Sequence, residues 1–232
     1  MRLTTGPMWH KRICLVALIV GASAVLASGC SQSPYFVAED EPWRKEAEMA
    51  CLRSGAVSQS PFLVETRQSL GGPSVCGALH PLQMAAAADG AVELKPAAIL
   101  QCAMVPAVER WMREAVIPAA HHYFGMGVKE AKVLSSYSCR PRNGVAGDKL
   151  SEHGHANAID IGRFTLVDGR TVSVKSGWKG SAQERGFLRD IHKAACRYFT
   201  TVLGPDANAF HRDHFHLDLA RHGRRGDGRY CK

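Results

Sequence analysis

Two short segments set the strictest demand on how this chain can fold. Ser151-Glu-His153-Gly-His-Ala-Asn-Ala-Ile-Asp160 and His214-Phe-His216-Leu-Asp218 crowd imidazoles and carboxylates into ligand-like spacings, and a fold that uses them must bring both together. In the second segment Phe215, Leu217 and Leu219 alternate with His214, His216 and Asp218. Residues two apart share one face of a strand, so this period predicts a strand with one apolar and one polar face. Such a polar face is a poor surface for a core and a good one for a metal. Two imidazoles and a carboxylate hold zinc with a fourth position left for water, whereas structural zinc fills all four positions, usually with thiolates. The pattern therefore predicts a catalytic Zn2+ site and hydrolytic chemistry. His155, His211 and Asp213 lie close by as spare ligands.

The N-terminus bounds the compartment. Met1 to Gly29 carries Arg2, Lys11 and Arg12, no acidic residue, and then the apolar run Ile13 to Ala27, as a secretory signal peptide does. That run is too short to span a bilayer comfortably. It ends in Leu26-Ala-Ser-Gly-Cys30, which resembles the lipobox of bacterial lipoproteins, with Ala27 where Leu is more usual; plain cleavage and release is the alternative. The resemblance implies removal of 1–29, lipidation of Cys30, and a periplasmic lipoprotein anchored to a bacterial membrane, the outer one by preference. Contact with the membrane is expected through that lipid only. Residues 30–41 are polar and contain Pro34, which suits a tether, and order is expected from Pro42, giving one domain over 42–232.

With Cys14 in the signal and Cys30 as the anchor, Cys51, Cys76, Cys102, Cys139, Cys196 and Cys231 remain, an even set in an exported chain. Disulfides are the expected state, and the absence of any Cys-x-x-Cys pair argues against a zinc ribbon or a thioredoxin-like site. Six cysteines permit fifteen pairings; a bridge from Cys196 to either Cys139 or Cys231 is favoured. Removing Arg2, Lys11 and Arg12 from the formal charge of +8 leaves +5 on the mature chain. Arg221, Arg224, Arg225, Arg229 and Lys232 gather part of it at the C-terminus, read as a solvated tail pinned by Cys231 rather than an anion-binding patch. No nucleic-acid-binding motif is present, so nucleic acid is not an expected partner.

The remaining pattern predicts a helix from Trp43 to Ser54 and a core-facing helix from Val105 to Phe124, stopped by Gly125 and Gly127. A strand is expected over Ala131 to Tyr137, with Tyr137 facing the core, and a hairpin where Asp168-Gly169 separates Phe164-Thr-Leu-Val167 from Thr171-Val-Ser-Val174. Ser181-Ala-Gln-Glu184 is a capping box; Phe187, Leu188, Ile191, Ala195, Tyr198, Phe199 and Val202 behind it predict a long helix closed by Gly204-Pro205. The expected class is α+β: a small antiparallel sheet carrying the zinc site, packed on helices and stapled by disulfides.

Ser151, His153, Asp160, His214 and His216 follow the pattern Ser-x-His-x6-Asp and His-x-His, which resembles the LAS-type metallopeptidases: D-Ala-D-Ala carboxypeptidases, murein endopeptidases and the hedgehog signalling domain. More closely, Ser-Tyr-Ser-Cys-Arg140, Ser-Glu-His, Ala-Ile-Asp-Ile, Thr-Val-Leu-Gly-Pro and His-Phe-His-Leu-Asp are similar to the bacterial extensin-like C-terminal domain family, over about Cys51 to Cys231. The resemblance implies His153, Asp160 and His216 as zinc ligands, His214 as general base or transition-state stabiliser, and Arg140 as a clamp for a carboxylate or oxyanion. Ser151 would brace the ligand loop and Asp218 would orient an imidazole, with Glu152 a second option for the base. Ala156 departs from the relatives' usual Gly and fits only if the backbone there needs no positive φ. The implied activity is a monomeric zinc peptidase acting on peptidoglycan; the alternative is a zinc-containing, non-catalytic peptidoglycan-binding lipoprotein.

Overall fold

The computed structural model describes residues 35–66 and 68–232; the expected signal segment and the expected lipidation site Cys30 lie outside the described residues. From Tyr35 the chain is already docked. Phe36 is buried with Cys76 and Leu150, and Val37 N–H donates to Asp148 O at 2.9 Å. The second half of the expected tether is thus part of the domain, because the apolar stretch Phe36-Val-Ala38 within it finds an apolar seat. Among the described residues no helix is long and apolar enough to cross a membrane.

Helix α1 (Trp43–Arg53) leads into β1 (Leu63–Glu65), the small β2 (Leu70–Gly71) and β3 (Gly77–Ala78) pair, then β4 (Leu82–Ala87) and β5 (Val92–Leu100). The apolar stretch expected as one helix is α2 (Met104–Trp111), a π turn over Met112–Val116, and α3 (Ile117–Phe124), ended by Gly125 at φ 72°. The π turn has a local cause. Pro118 has no N–H to offer Glu114, so the ladder slips and Ile117 N–H reaches Met112 O instead. Trp111 on this helix is fully buried; its indole N–H donates to Ile191 O at 2.9 Å, and its ring meets Phe164 and Phe199 edge-on.

After β6 (Val128–Ser135) come β7 (Ala158–Leu166) and β8 (Thr171–Ser173), the hairpin that Asp168-Gly169 announces, and a short helix α4 (Val174–Gly177). Helix α5 (Ala182–Ala195) starts on its capping box, Ser181 Oγ accepting from Glu184 N–H and the Glu184 carboxylate accepting from Ser181 N–H. It stops well before Gly204. Tyr198, Phe199 and Val202 continue the apolar spacing, but the Arg229 guanidinium takes the carbonyls of Cys196 and Phe199, and Val202 pairs with Leu217 in strand β9 (Thr201–Leu203). The last strands are β10 (Phe215–Asp218) and β11 (Tyr230–Cys231).

Among the described residues nine strands form one sheet in the order β1-β4-β5-β6-β7-β10-β9-β11, with β8 on β7. The sheet is therefore larger than expected, and it is mixed. β5 and β6 run parallel because the α2–α3 helical segment returns the chain in the same direction, and β11 runs parallel to β9. Three disulfides staple it: Cys51–Cys102, Cys76–Cys139 and Cys196–Cys231, the last being one of the two pairings favoured from sequence.

Period two decides what each face of the central strands carries. Ile159, Ile161, Phe215 and Leu217 are fully buried in the helix-packed core, so their neighbours Asp160, His216 and Asp218 project to the other face. In the β7–β10 register His216 stands directly opposite Asp160, while Leu217 opposes Ile159 on the core side.

Candidate metal centre

The third member of the cluster arrives from the loop before β7. Ser151 caps a 3-10 turn over Glu152–His155, its hydroxyl accepting from His153 N–H at 3.4 Å, and this turn aims the His153 ring at the polar face of the sheet. The turn closes at Ala156 with φ 52° and ψ 26°. The backbone thus does adopt the left-handed conformation that favours Gly, and Ala is accommodated there at a cost of about 1 kcal/mol. Ala156 O accepts from Gln101 N–H at 2.8 Å, which pins the strained residue to the end of β5.

His153, Asp160 and His216 each present a ligand atom within 4.8 Å of the others. His153 Nε2 lies 3.1 Å from Asp160 Oδ2 and 3.2 Å from His216 Nδ1; His216 Nδ1 lies 2.9 Å from Asp160 Oδ1. The outer nitrogens are held as well. His153 Nδ1 is 2.6 Å from the carbonyl of Ser136, which can only accept, so that nitrogen carries the hydrogen and Nε2 turns its lone pair inward. His216 Nε2 donates to Asp218 Oδ2 at 2.8 Å. Outer partners of this kind set the tautomer and orientation of metal-bound imidazoles. The donor set fits a divalent cation.

Electrostatics point the same way. Burial pushes the His216 pKa down, yet hydrogen bonds and charge from Asp160 and Asp218 prevail and hold it up to about 10. Burial raises Asp160 and Asp218, and the facing imidazoles reverse this, His153 and His216 holding Asp160 well below the usual carboxylate range. Two buried carboxylates thus demand positive charge between them. A ring proton supplies it in the metal-free state, and a cation would take over that role with release of the proton.

His214 and Arg140 flank the cluster. His214 Nε2 is 3.7 Å from Asp160 Oδ1, and its Nδ1 is held by Asp213 at 2.8 Å; an Arg140 guanidinium nitrogen is 3.9 Å from Asp160 Oδ2. Both line a cavity of about 480 Å³ that opens over the three ligand candidates. His211 also lines it, its pKa pushed down to about 4 by burial and by the neighbouring His216 and His214, so its ring is neutral. Asn208 Oδ1 accepts from its Nδ1 at 2.7 Å.

Three sequence expectations fail here. Glu152 is not free to act as a base: both its oxygens accept from the Arg44 guanidinium at 2.8 Å, and its Oε2 accepts also from the Asn157 side-chain amide at 2.6 Å. His155 does not reach the cluster but lines two neighbouring cavities beside Arg44. Tyr137 lies beyond the end of β6, half-buried, with its hydroxyl donating to Gly71 O at 3.1 Å. Arg44 and the Ser136 carbonyl were not legible as site residues, since neither side-chain type nor spacing links position 44 to 152.

The family described as Extensin-like protein C-terminus matches residues 49–232 of the chain. No curated protein and no solved structure matches it.

Proposed function

We propose that this chain, which belongs to the extensin-like C-terminus family, is a zinc-dependent peptidase that cleaves peptidoglycan stem peptides or their cross-links. One observation carries the reading: His153, Asp160 and His216 converge with their outer ring nitrogens already engaged, at the floor of an open cavity that also holds His214 and Arg140. A structural site would be closed; this one faces a cleft. The LAS-like spacing of the same residues and the export signal supply the substrate class. The protein would then act in the periplasm, held to the membrane by a lipid on Cys30.

Zinc bound by His153, Asp160 and His216 would lower the pKa of a coordinated water and polarise the scissile carbonyl. The protein supplies the proton handling. His214 has Nδ1 fixed by Asp213, which leaves Nε2 directed at the cleft, able to take a proton and return it to the leaving amine. Arg140 can hold a substrate carboxylate or the developing oxyanion by charge-assisted hydrogen bonds. Neutral His211 beside His214 keeps a second positive charge away from that proton transfer.

Metal analysis and digestion of sacculi test the proposal together. The purified protein should carry about one zinc and release new muropeptides, and His214→Ala should retain the metal while losing the release. A folded protein that takes up no zinc, or a zinc-loaded one that leaves sacculi unchanged by mass spectrometry, would end the peptidase reading.

A further inference from the structure

We propose that the metal cleft continues into a groove for a peptide bearing free side-chain carboxylates, with Arg142 and Arg221 as its anion contacts. This rests on the peptidase reading and names the substrate class of that site. The cavity over the ligand cluster and a neighbouring one of about 310 Å³ share Arg142, Glu152, Ala220 and His222 in their walls, so the two lie side by side. Arg142 borders both parts, and Arg221 borders only the second.

The charge in the second part is unbalanced. Its three carboxylates engage two cations, Glu39 with Lys149 at 2.9 Å and both Glu41 and Glu152 with Arg44 at 2.6 and 2.8 Å, so Arg142 and Arg221 leave the lining with one positive charge in excess. Among the described residues no carboxylate pairs with Arg142 or Arg221. Arg221 is positioned through its side chain and Arg142 through its backbone. The Arg221 guanidinium lies over the Trp43 ring, 4.0 Å from its centroid, and a cation on an aromatic face keeps N–H groups for a further acceptor. Arg142 opens the short turn Arg142–Gly144, whose backbone is fixed by Arg142 N–H donating to Lys149 O at 2.8 Å. Two unpaired, planar, bidentate donors along adjoining cavities suit carboxylates better than neutral side chains. One carboxylate would sit beside the scissile bond at Arg142, and a second farther along the peptide at Arg221.

The test is binding and cleavage of two synthetic peptides by the full-length protein: an acidic stem pentapeptide, and its counterpart with the side-chain carboxylates amidated. Binding is measured on the His214→Ala background by fluorescence anisotropy at low salt. Arg142→Gln and Arg221→Gln should each weaken the acidic peptide about fivefold, the worth of one partly exposed charge pair, and leave the amidated peptide unchanged. Arg221→Lys should recover part of the loss. Equal affinity of the His214→Ala protein, both arginines intact, for the two peptides, or displacement of the acidic peptide by inorganic phosphate at equal concentration, overturns the groove assignment. Charge-dependent binding without cleavage by the wild-type protein would remove the peptidase reading and keep the groove; cleavage of both peptides by it at the same rate would do the reverse.

Discussion

Asp218→Asn asks whether the second carboxylate of the cluster orients a metal ligand or only fills space. Asp218 receives two N–H groups on its two oxygens: His216 Nε2 at 2.8 Å on Oδ2 and Ala220 N at 2.9 Å on Oδ1. Asparagine offers one oxygen, so its NH₂ must confront one of these donors in a site only 4% exposed. If the oxygen keeps His216, the Ala220 amide is stranded, at a cost of about 1–3 kcal/mol in stability. If the amide flips, His216 must move its hydrogen to Nδ1, the nitrogen that faces Asp160, and that nitrogen can no longer bind a metal. Either route also replaces a charge-assisted bond by a neutral one. Zinc affinity should therefore fall about 10–100-fold, as it does when a partner of a ligating imidazole is lost, while the protein stays folded. Competition against a chromophoric chelator at neutral pH reads the affinity, and circular dichroism reads the fold. A folded Asn variant that binds zinc within twofold of the wild type would refute the role given to Asp218.

Three further outcomes follow from the geometry. Glu152→Gln removes one side of a buried ion pair whose side chains are 13% and 7% exposed, and should lower the unfolding free energy in urea by about 2–3 kcal/mol, the Glu41 pairing limiting the loss; an unchanged midpoint would show that Arg44 is held by Glu41 alone. His192 packs against Trp178 and Phe215, and burial pushes its pKa down to about 4. Its neutral form stabilises the fold above the unfolded value of about 6.5, and that contribution, at most about 3 kcal/mol, is lost as pH falls from about 6.5 to about 4; His192→Gln should lessen the slope of stability against pH across that window, His155 and His211 keeping the remainder. Ala156→Val places a β-branched side chain at φ 52° in a fully buried position and should cost more than about 2 kcal/mol, whereas Ala156→Gly should stay within about 1 kcal/mol of the parent in thermal unfolding.

What the sequence disclosed depended on how local the cause was. The capping box at Ser181, the Asp168-Gly169 hairpin and the alternation through Phe215 to Leu219 are each decided within a few residues, and each is present in the fold. The end of α5 is not. Tyr198, Phe199 and Val202 keep the helical spacing, but Arg229 from later in the chain claims the carbonyls of Cys196 and Phe199, and Leu217 pairs with Val202 in a strand. The mixed sheet was hidden for the same reason, because the parallel β5–β6 pairing depends on where a helical crossover returns.

The candidate site divides along the same line. Strand period alone put His214, His216 and Asp218 on one polar face, yet it could not say what faces them. That is fixed by the β7–β10 register, which sets Asp160 opposite His216; a slip of one residue would turn Ile159 or Ile161 toward His216 and bury Asp160 in the apolar core. The register is held by the core side of the same strands, where Phe215, Leu217, Ile159 and Ile161 are all fully buried. Burying a carboxylate among them would cost far more than any single contact in the cluster returns. The apolar face therefore guarantees the geometry of the polar one, and the site's precision is a property of the core behind it.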